Sequence, residues 1–300
     1  MLEWNEPQLT DREWISSCVK ESGYIGSDAA FANIFLLQSK YNINVASYKG
    51  YLIRYYDGHL SRHGYTFPLG RGNIDKALEA IRQDAIDMDR KLEFCFITEE
   101  QKVVLDNYYG DILEYSRDDG DSDYIYGQQE LSTLAGRAYH KKKNHVSKFN
   151  RTYDDIRYSD IGEANIEDAV MVEDIWYSEH QDDIDDSAQI EYAAIKNALQ
   201  NYDKLGLMGG ILYVNNVPAA MTIASYITDD AIDIHYEKCI SEYAVSGGYA
   251  AINQRYAATL NNVTYINREE DINIPGLRKA KESYHPKIML KKYHAVQGSP

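Results

Sequence analysis

The sequence predicts an α/β (α+β) protein made of two similar domains, and three observations lead to this prediction. Predicted helices and strands alternate along both halves in one order: helices, a hairpin, a strand, a glycine-bearing turn, a helix and a strand. The chain has 300 residues, which is long for a single hydrophobic core. The acidic stretch at 118–123 is broken by glycine and serine, so we expect it to connect a domain at 1–120 to a domain at 121–300.

The first half opens with a helix that we predict to begin at Thr10, because Glu13 follows three residues later in a capping-box pattern. A hairpin is predicted where Asp57-Gly58 separates residues 51–56 from His59-Leu60, since Asp-Gly supplies the positive φ of a tight turn. The other predicted elements of this half are helices at 29–37, at 74–88 and from Val103, and strands at 65–69 and 92–97.

The second half contains another predicted hairpin, with Asn215-Asn216 between apolar runs at 210–214 and 217–224. A single helix is predicted over 128–150, where an apolar stripe recurs at helical spacing. The remaining predicted elements are helices at 164–176, 191–202, 249–260 and 274–283, and strands at 231–238, 263–267 and 289–293.

The composition predicts a soluble, cytoplasmic protein. The net charge of −16 repels nucleic acid and anionic lipid at long range, without excluding a local basic site. Cys18, Cys95 and Cys239 are dispersed and lack CxxC spacing, which suits a reducing compartment and predicts neither a disulfide framework nor a metal site. No signal-peptide pattern opens the chain, and no apolar stretch approaches the 18 residues typical of a transmembrane segment.

The strand at 231–238 is the segment most suggestive of chemistry. Side chains alternate across a strand, so Asp233, His235 and Glu237 are predicted to share one face. An imidazole between two carboxylates can act as a general base, and either His235 or Glu237 is a candidate for that role. The alternative is a strand with one wet face and an ordinary hydrogen-bonded histidine.

A basic stretch at 137–151 contains Lys141, Lys142 and Lys143 and is not interrupted by an acid. In so acidic a chain this run predicts a site for an anion or polyanion, such as tRNA, a coenzyme pyrophosphate or a lipid head group. The alternative is a solvated helix face.

A glycine-bearing turn, Ser246-Gly247-Gly248, lies between a predicted strand and a predicted helix. Its backbone N–H groups are candidates to bind a phosphate or a carboxylate at the helix N-terminus. It matches no established phosphate-loop pattern, so an ordinary loop is the alternative.

The segment at 266–281 is rich in paired charges. Arg268, Arg278 and Lys281 are candidates to bind an anionic group, with Asp271 capping the helix that follows. The alternative is a salt-bridge network that holds the last helix in place.

Several blocks of residues together resemble the bacterial family related to the phosphatidylglycerol lysyltransferase C-terminal domain. They occur in the family's order over 124–293. One position departs from the family's pattern: Asn273 stands where glycine is usual, although asparagine also tolerates left-handed φ. The blocks are Tyr124-Ile125-Tyr126 with Leu131, Leu134 and Gly136; 139–145 with Phe149; 234–238; Tyr249 with 252–254; 265–271; 276–281 with 283–286; and Lys292-Tyr293.

The resemblance implies two tandem GNAT-like domains, each with a mixed, mostly antiparallel sheet flanked by helices. It also implies an enzyme of acyl or aminoacyl transfer. Relatives of the family include membrane-tethered enzymes that move an aminoacyl group from tRNA to a lipid head group, and the Fem-type aminoacyltransferases look similar in architecture.

The leading hypothesis is therefore a soluble transferase that uses aminoacyl-tRNA or acyl-CoA as donor and a small molecule or lipid head group as acceptor. Two alternatives stay open: a non-catalytic module that binds tRNA or another anion, and an ordinary acyl-CoA-dependent N-acyltransferase. Oligomeric state, donor and acceptor are not predicted.

Overall fold

The computed structural model describes residues 2–58, 62–181 and 186–298, which form two compact units. Unit 1 comprises Met1–Tyr124, Glu269–Arg278 and Met289–Pro300, and unit 2 comprises Ile125–Arg268 and Lys279–Ile288. Unit 1 thus takes in two segments from the end of the chain. The division of the chain at residue 120 stays a prediction about domains.

Helices and strands alternate throughout the described ranges. The helices are α1 Arg12–Ser22, α2 Phe31–Leu36, α3 Gln38–Tyr41, α4 Ile74–Asp87, α5 Glu99–Tyr109, α6 Gln128–Thr133, α7 His140–Thr152, α8 Ile166–Glu179, α9 Asp186–Gln200, α10 Tyr202–Leu205, α11 Ser241–Ala244, α12 Gly248–Thr259 and α13 Pro275–Glu282. The strands are β1 Asn44–Tyr48, β2 Tyr51–Asp57, β3 His63–Tyr65, β4 Leu69–Gly70, β5 Glu93–Ile97, β6 Leu113–Ser116, β7 Asp123–Gly127, β8 Ile156–Asp160, β9 Leu207–Val214, β10 Val217–Tyr226, β11 Ala231–Cys239, β12 Tyr265–Asn267, β13 Ile288–Leu290 and β14 Tyr293–Gln297.

The sheet of unit 1 has the strand order β1-β2-β3-β5-β14-β6, with β4 paired to β2. β3 and β5 run parallel and the other pairs are antiparallel. Leu78 and Ile81 of α4 are fully buried and pack into the same core as Phe94 and Ile97 of β5. This burial is what the helical apolar spacing over 74–88 predicts.

The second sheet has the order β13-β7-β12-β11-β10-β9-β8. β11 and β12 run parallel, whereas the β7–β12, β10–β11, β9–β10 and β8–β9 pairs are antiparallel. Two mixed, mostly antiparallel sheets flanked by helices confirm the predicted fold class. No helix in the described ranges is both long enough and apolar enough to cross a bilayer.

The hairpin predicted at Asn215-Asn216 is confirmed. Both residues have left-handed φ, 51° and 62°, and they join β9 to β10 with Val214 paired to Val217. A two-residue turn with positive φ at both positions matches the twist of antiparallel strands, and asparagine adopts that conformation at low cost.

Several predicted elements differ from the structure. The strand predicted at 65–69 is not continuous, because β3 ends at Tyr65 and β4 begins at Leu69. The single helix over 128–150 is two helices, α6 and α7, because Leu134 and Gly136 have φ of 47° and 95° and end the first one. The cap predicted at Thr10 is wrong: the capping box is formed by Gln8 and Asp11, and α1 begins at Arg12. The predicted closing strand at 289–293 is divided between β13 and β14.

The hairpin predicted after β2 is described only in part. β2 pairs with β3, from Asp57 opposite His63 to Tyr55 opposite Tyr65. The predicted return strand at His59-Leu60 lies outside the described residues.

Candidate functional site

A carboxylate and a guanidinium meet in unit 2 where the parallel pairing of β11 and β12 ends. The last paired residues are Asp233 and Asn267. Beyond them, Arg268 Nη2 lies 2.9 Å from Glu237 Oε1. Asn253 of α12 donates to the other carboxylate oxygen of Glu237 at 3.2 Å. Both oxygens of Glu237 therefore accept a hydrogen bond, and the carboxylate is fixed in orientation.

Two more side chains complete this cluster, which we call the Glu237 site: Glu237, Arg268, Asn253, Lys142 and Tyr284. Lys142 Nζ lies 3.8 Å from the centre of the Tyr284 ring, and the Arg268 guanidinium carbon lies 5.0 Å from it. Tyr284 thus has two cations near its ring, a favourable arrangement for each of them. The site contains two basic groups and one carboxylate.

The surroundings shift the ionisation of Lys142 and Tyr284. Burial and, to a smaller extent, the positive charge of Arg268 lower the pKa of Lys142 to about 8, although Glu237 partly opposes the shift. Burial also raises the pKa of Tyr284 to about 12, with Arg268 acting in the opposite direction. Near neutral pH the site therefore offers a lysine with an accessible neutral form beside a protonated phenol.

Only one of the three consecutive lysines belongs to the Glu237 site. Lys142 is half-buried and faces Tyr284, whereas Lys141 and Lys143 are exposed on α7. A helix turns by about 100° per residue, so adjacent side chains point in different directions. The sequence places the three together, but the structure separates them.

His235 lies at a β-bulge that reverses the faces of β11. Ala224 of β10 pairs with Ile234, and the next pair is Ile223 with Tyr236, so His235 is the extra residue. The partners of Asp233 and Glu237 are Ser225 and Thr222, three positions apart and hence on opposite faces. The prediction that Asp233, His235 and Glu237 share one face is therefore wrong for Glu237.

The imidazole of His235 is enclosed between polar neighbours. Its Nε2 lies 2.8 Å from Ser225 Oγ, and its Nδ1 lies 3.3 Å from Asp233 Oδ2. Asp233 and His235 have fully buried side chains. This arrangement matches the hydrogen-bonded histidine that the sequence left as the alternative, and it keeps the ring away from solvent.

Asp271 and Arg278 form a bidentate ion pair in unit 1. Arg278 donates from Nε to Asp271 Oδ2 at 2.7 Å and from Nη2 to Oδ1 at 2.9 Å, and Tyr124 donates its hydroxyl to the same carboxylate at 2.6 Å. Asn273 has φ of 59°, so asparagine does adopt the left-handed conformation expected at this position. The bidentate pair corresponds to the salt-bridge alternative.

Lys281 belongs to unit 2 and has a partner of its own. Its Nζ donates to the backbone carbonyl of Arg268 at 2.6 Å, and its own carbonyl accepts the Tyr126 hydroxyl at 2.8 Å. Lys281 and Arg278, predicted to bind one anion, thus lie in different units and contact different groups. The contact of Lys281 with the Arg268 backbone supports the position of Arg268.

The turn Ser246-Gly247-Gly248 is closely packed. The backbone N–H groups of Ser246 and Gly247 donate to carbonyls of α11, at 3.1 and 3.0 Å. Gly247 has φ of 102°, and a Cβ there would lie 2.4 Å from the carbonyl oxygen of His145. A Cβ on Gly248 would lie 2.5 Å from Cys239 Sγ. The glycines allow α12 to approach α7 and β11.

Replacing Gly247 by alanine is expected to lower the free energy of unfolding by about 1–3 kcal/mol, because the new Cβ meets both an unfavourable φ and the His145 carbonyl. Gly276→Ala is the control: Gly276 is helical, nothing lies within 4 Å of the added Cβ, and alanine favours a helix by about 1 kcal/mol. Urea unfolding of both variants measures the difference. Equal stability of the two variants would contradict the packing role of Gly247.

Asn253 and Tyr284 are site residues that residue spacing did not reveal. Asn253 is 1% exposed and lies among the buried residues of α12, such as Ile252 and Tyr256. A polar residue on an otherwise apolar helix face needs a hydrogen-bond partner. The position of Asn253 in an apolar stretch was therefore the sign in the sequence that it makes a buried polar contact. Its partner Glu237 lies on another element, so only the tertiary structure identifies it.

Comparison with known proteins gives a family match over nearly the whole chain. The model of the family described as phosphatidylglycerol lysyltransferase, C-terminal, matches residues 20–296. The structure is similar to that of a conserved protein of unknown function from Bacteroides thetaiotaomicron. The TM-score is 0.93 and the identity 30%, covering 99% of this chain and 100% of that chain.

Two further relatives are more distant. The structure of L-PGS from Bacillus licheniformis is similar with a TM-score of 0.65 and 12% identity, over 96% of this chain and 92% of that chain, which is a likeness of fold. An uncharacterized protein from Mycoplasmoides gallisepticum is 22% identical over 203 residues, covering 64% of this chain and 64% of its own length. The chain therefore spans 64% of the length of that curated relative.

Proposed function

Because the chain belongs to the phosphatidylglycerol lysyltransferase C-terminal family, we propose that it transfers an aminoacyl group from aminoacyl-tRNA to an amine or hydroxyl acceptor. The observation that carries the proposal is the Glu237 site, where a guanidinium, a lysine and a fixed carboxylate converge at the end of the β11–β12 pairing. Acyl transfer builds negative charge on a carbonyl oxygen, and guanidinium N–H donors directed at that oxygen stabilise the charge.

Arg268 is the residue that we assign to the developing oxyanion. Its guanidinium carries five donors, and only some of them are used by Glu237. Glu237 and the Lys281 contact hold it from two sides, so its donors need little reorganisation when the charge develops. Both oxygens of Glu237 already accept hydrogen bonds, from Arg268 and from Asn253, and we therefore assign Glu237 to orienting Arg268.

The remaining predicted site residues receive structural roles in this proposal. His235 is buried against Ser225 and Asp233, and Arg278 is engaged by Asp271. Ser246, Gly247 and Gly248 position the start of α12, which carries Asn253. Lys281 supports Arg268 through its backbone carbonyl.

The exposed basic side chains over 137–151 form the surface that we assign to the tRNA. No acid interrupts them, and they are Arg137, which precedes α7, and Lys141, Lys143, Lys148 and Arg151 of α7. Phosphate neutralisation by such side chains releases counterions, so the affinity depends on salt.

Replacing Lys141 and Lys143 together by glutamine is expected to reduce the salt dependence of tRNA binding. Each lost phosphate contact lowers the slope of log affinity against log salt by about 0.9 on duplex. Fluorescence anisotropy with labelled tRNA between low and high salt measures both slopes. Lys204→Gln, at an exposed position on α10, is the control for the loss of one positive charge outside α7. A slope that is flat in the unmodified protein, or unchanged in the double variant, contradicts this surface.

The experiment that tests the function is the release of labelled amino acid from a mixed aminoacyl-tRNA pool, with a desalted cell extract as the source of acceptors. Partition of the product between water and organic solvent distinguishes a lipid head group from a small water-soluble acceptor. We expect protein-dependent transfer that is reduced in Glu237→Gln and unchanged in Glu163→Gln, which replaces an exposed glutamate outside the Glu237 site.

Two other outcomes would support the alternatives. Salt-dependent tRNA binding without any transfer supports a non-catalytic module. No transfer from tRNA, together with a clear rise of the melting temperature with coenzyme A, supports an acyl-CoA-dependent enzyme, because a ligand of the folded state stabilises it by mass action.

A further inference from the structure

The amine of Lys142 belongs to the Glu237 site, but the proposed transfer has so far assigned it no step. Lys142 lies in the middle of a lysine run on α7, yet its amine is directed at the Tyr284 ring, 3.8 Å from its centre. In the part of the chain that the structure describes, no carboxylate forms an ion pair with Lys142. Burial makes the ammonium of a lysine without a carboxylate partner less favourable than it is in water.

Three titratable side chains from three neighbouring segments surround Lys142. Arg268, which follows β12, lies beside the same Tyr284 ring, and its positive charge disfavours a proton on Lys142. Glu237 of β11 favours that proton, but Arg268 and Asn253 already engage its oxygens. Tyr284 presents its ring face and is protonated at neutral pH. The neutral amine is therefore accessible in a site that faces a developing oxyanion.

We propose that Lys142 is a catalytic residue whose neutral amine removes the proton from the attacking acceptor. The inference rests on the proposed transfer. The acceptor nitrogen or oxygen forms a bond to the ester carbonyl carbon, and its proton passes to Lys142 Nζ. The ester C–O bond then breaks, and the lysine ammonium returns the proton to the leaving oxygen of the donor. Acceptor–H and ester give acylated acceptor and alcohol, with no other reactant.

Two substitutions distinguish proton transfer from a merely structural cation. Lys142→Arg retains a cation that can lie over the Tyr284 ring, but a guanidinium does not lose its proton near neutral pH. Lys142→Met removes the charge and keeps most of the apolar stem. A proton acceptor is lost in both variants, so transfer should fall by about 100-fold or more in each. Retention of transfer in Lys142→Arg would show that only the charge matters and would overturn the proposal.

The pH dependence gives a second kinetic readout. Below pH about 8 the Lys142 amine is protonated and cannot accept a proton, so the transfer rate should fall with falling pH around that midpoint. This limb should be absent from the residual rate of Lys142→Met. A limb that persists unchanged in that variant would assign the titration to another group and overturn the proposal.

A chemical measurement that needs no substrate separates this inference from the proposed function. Trace acetylation across pH 6 to 11, followed by digestion with a protease that does not cut at lysine, gives the titration of each lysine by mass spectrometry. Lys142 should titrate with a midpoint of about 8 instead of the ordinary 10.5. Lys141 and Lys143 on the same peptide serve as references for exposed amines.

The neighbours should move this midpoint in opposite directions. Arg268→Gln removes a like charge and raises the midpoint, whereas Glu237→Gln removes an opposite charge and lowers it. A midpoint near 10.5 in the unmodified protein would overturn the proposal even if transfer is found. Conversely, the expected midpoints without transfer from any donor would overturn the proposed function, and the proton-transfer step with it, while leaving the amine titration established.

Discussion

Replacing Lys292 by methionine is expected to lower the free energy of unfolding of unit 1 by about 3–5 kcal/mol, which is a large fraction of the stability of a domain. The Lys292 ammonium lies 2.7 Å from Asp123 Oδ1, 3.1 Å from Asp28 Oδ1 and 3.2 Å from Ser27 Oγ. All four residues are buried. Without the lysine, Asp123 loses this ion pair, whereas Asp28 keeps Arg54 and the Tyr24 hydroxyl as partners.

The control for Lys292→Met is the same substitution at the preceding residue. Lys291 is exposed, so Lys291→Met should change the stability by less than about 0.5 kcal/mol. The double variant Lys292→Met with Asp123→Asn should be less destabilised than Lys292→Met alone, because it also removes the buried negative charge of Asp123. Urea unfolding of the three variants measures these differences. Equal midpoints for Lys291→Met and Lys292→Met would contradict the buried network.

The pH dependence of the stability of this network follows from the raised pKa of Lys292 and the lowered pKa of Asp28. Burial alone lowers the pKa of Lys292, yet Asp123 and Asp28 raise it well above 10.5. Its contribution is therefore present below pH 10.5 and is lost only as the pH rises through the higher folded value. Burial raises the pKa of Asp28, but Lys292 and Arg54 outweigh it and hold the value below 3.8. That contribution is present above pH 3.8 and is lost as the pH falls through the lower folded value.

Asp123 responds differently, because burial raises its pKa despite the lysine. In Lys292→Met the loss of the cation raises it further, so protonation should relieve part of the defect. We expect the stability gap between Lys292→Met and the unmodified protein to narrow as the pH is lowered from neutral. A gap that stays the same at every pH would show that the lysine acts through packing alone.

Replacing Arg268 by methionine is expected to reduce transfer by about 10²–10³-fold, corresponding to about 2.7–4 kcal/mol of transition-state stabilisation. The same variant leaves Glu237 without its cation, while Asn253 still donates to it at 3.2 Å. Glu237→Gln should give a smaller loss, because the amide oxygen can still accept from Arg268 but no longer balances its charge. The assay is initial transfer rate at saturating donor.

The control for Arg268→Met is Arg71→Met, which removes an exposed arginine of unit 1. It should transfer at the unmodified rate. Thermal unfolding of each variant shows whether the loss in Arg268→Met comes from misfolding. Full transfer in a folded Arg268→Met protein would contradict the assignment of Arg268 to the oxyanion.

The sequence by itself determined the elements whose signals are local. The Asn215-Asn216 hairpin follows from two residues that tolerate positive φ, and α4 follows from its apolar spacing. The repeated order of elements gave the fold class, and the blocks over 124–293 gave the family. For the charged segment at 266–281 the sequence allowed two interpretations, an anion site or a salt-bridge network. Asp271 and Arg278 lie near each other in the chain, and their ion pair corresponds to the second interpretation.

Only the tertiary structure decided which side chains share a site. A single extra residue at His235 reverses the faces that follow, and a period-two pattern contains no sign of it. Lys142 and Lys292 each stand beside another lysine in the sequence. The neighbouring lysines are exposed, whereas Lys142 is half-buried and Lys292 is buried. Their direction depends on partners such as Tyr284 and Asp123, more than a hundred residues away. Strand alternation and helical spacing depend on residues that are close in the sequence. Strand register, burial and ion pairing depend on residues that are distant in the sequence and that the fold places in contact.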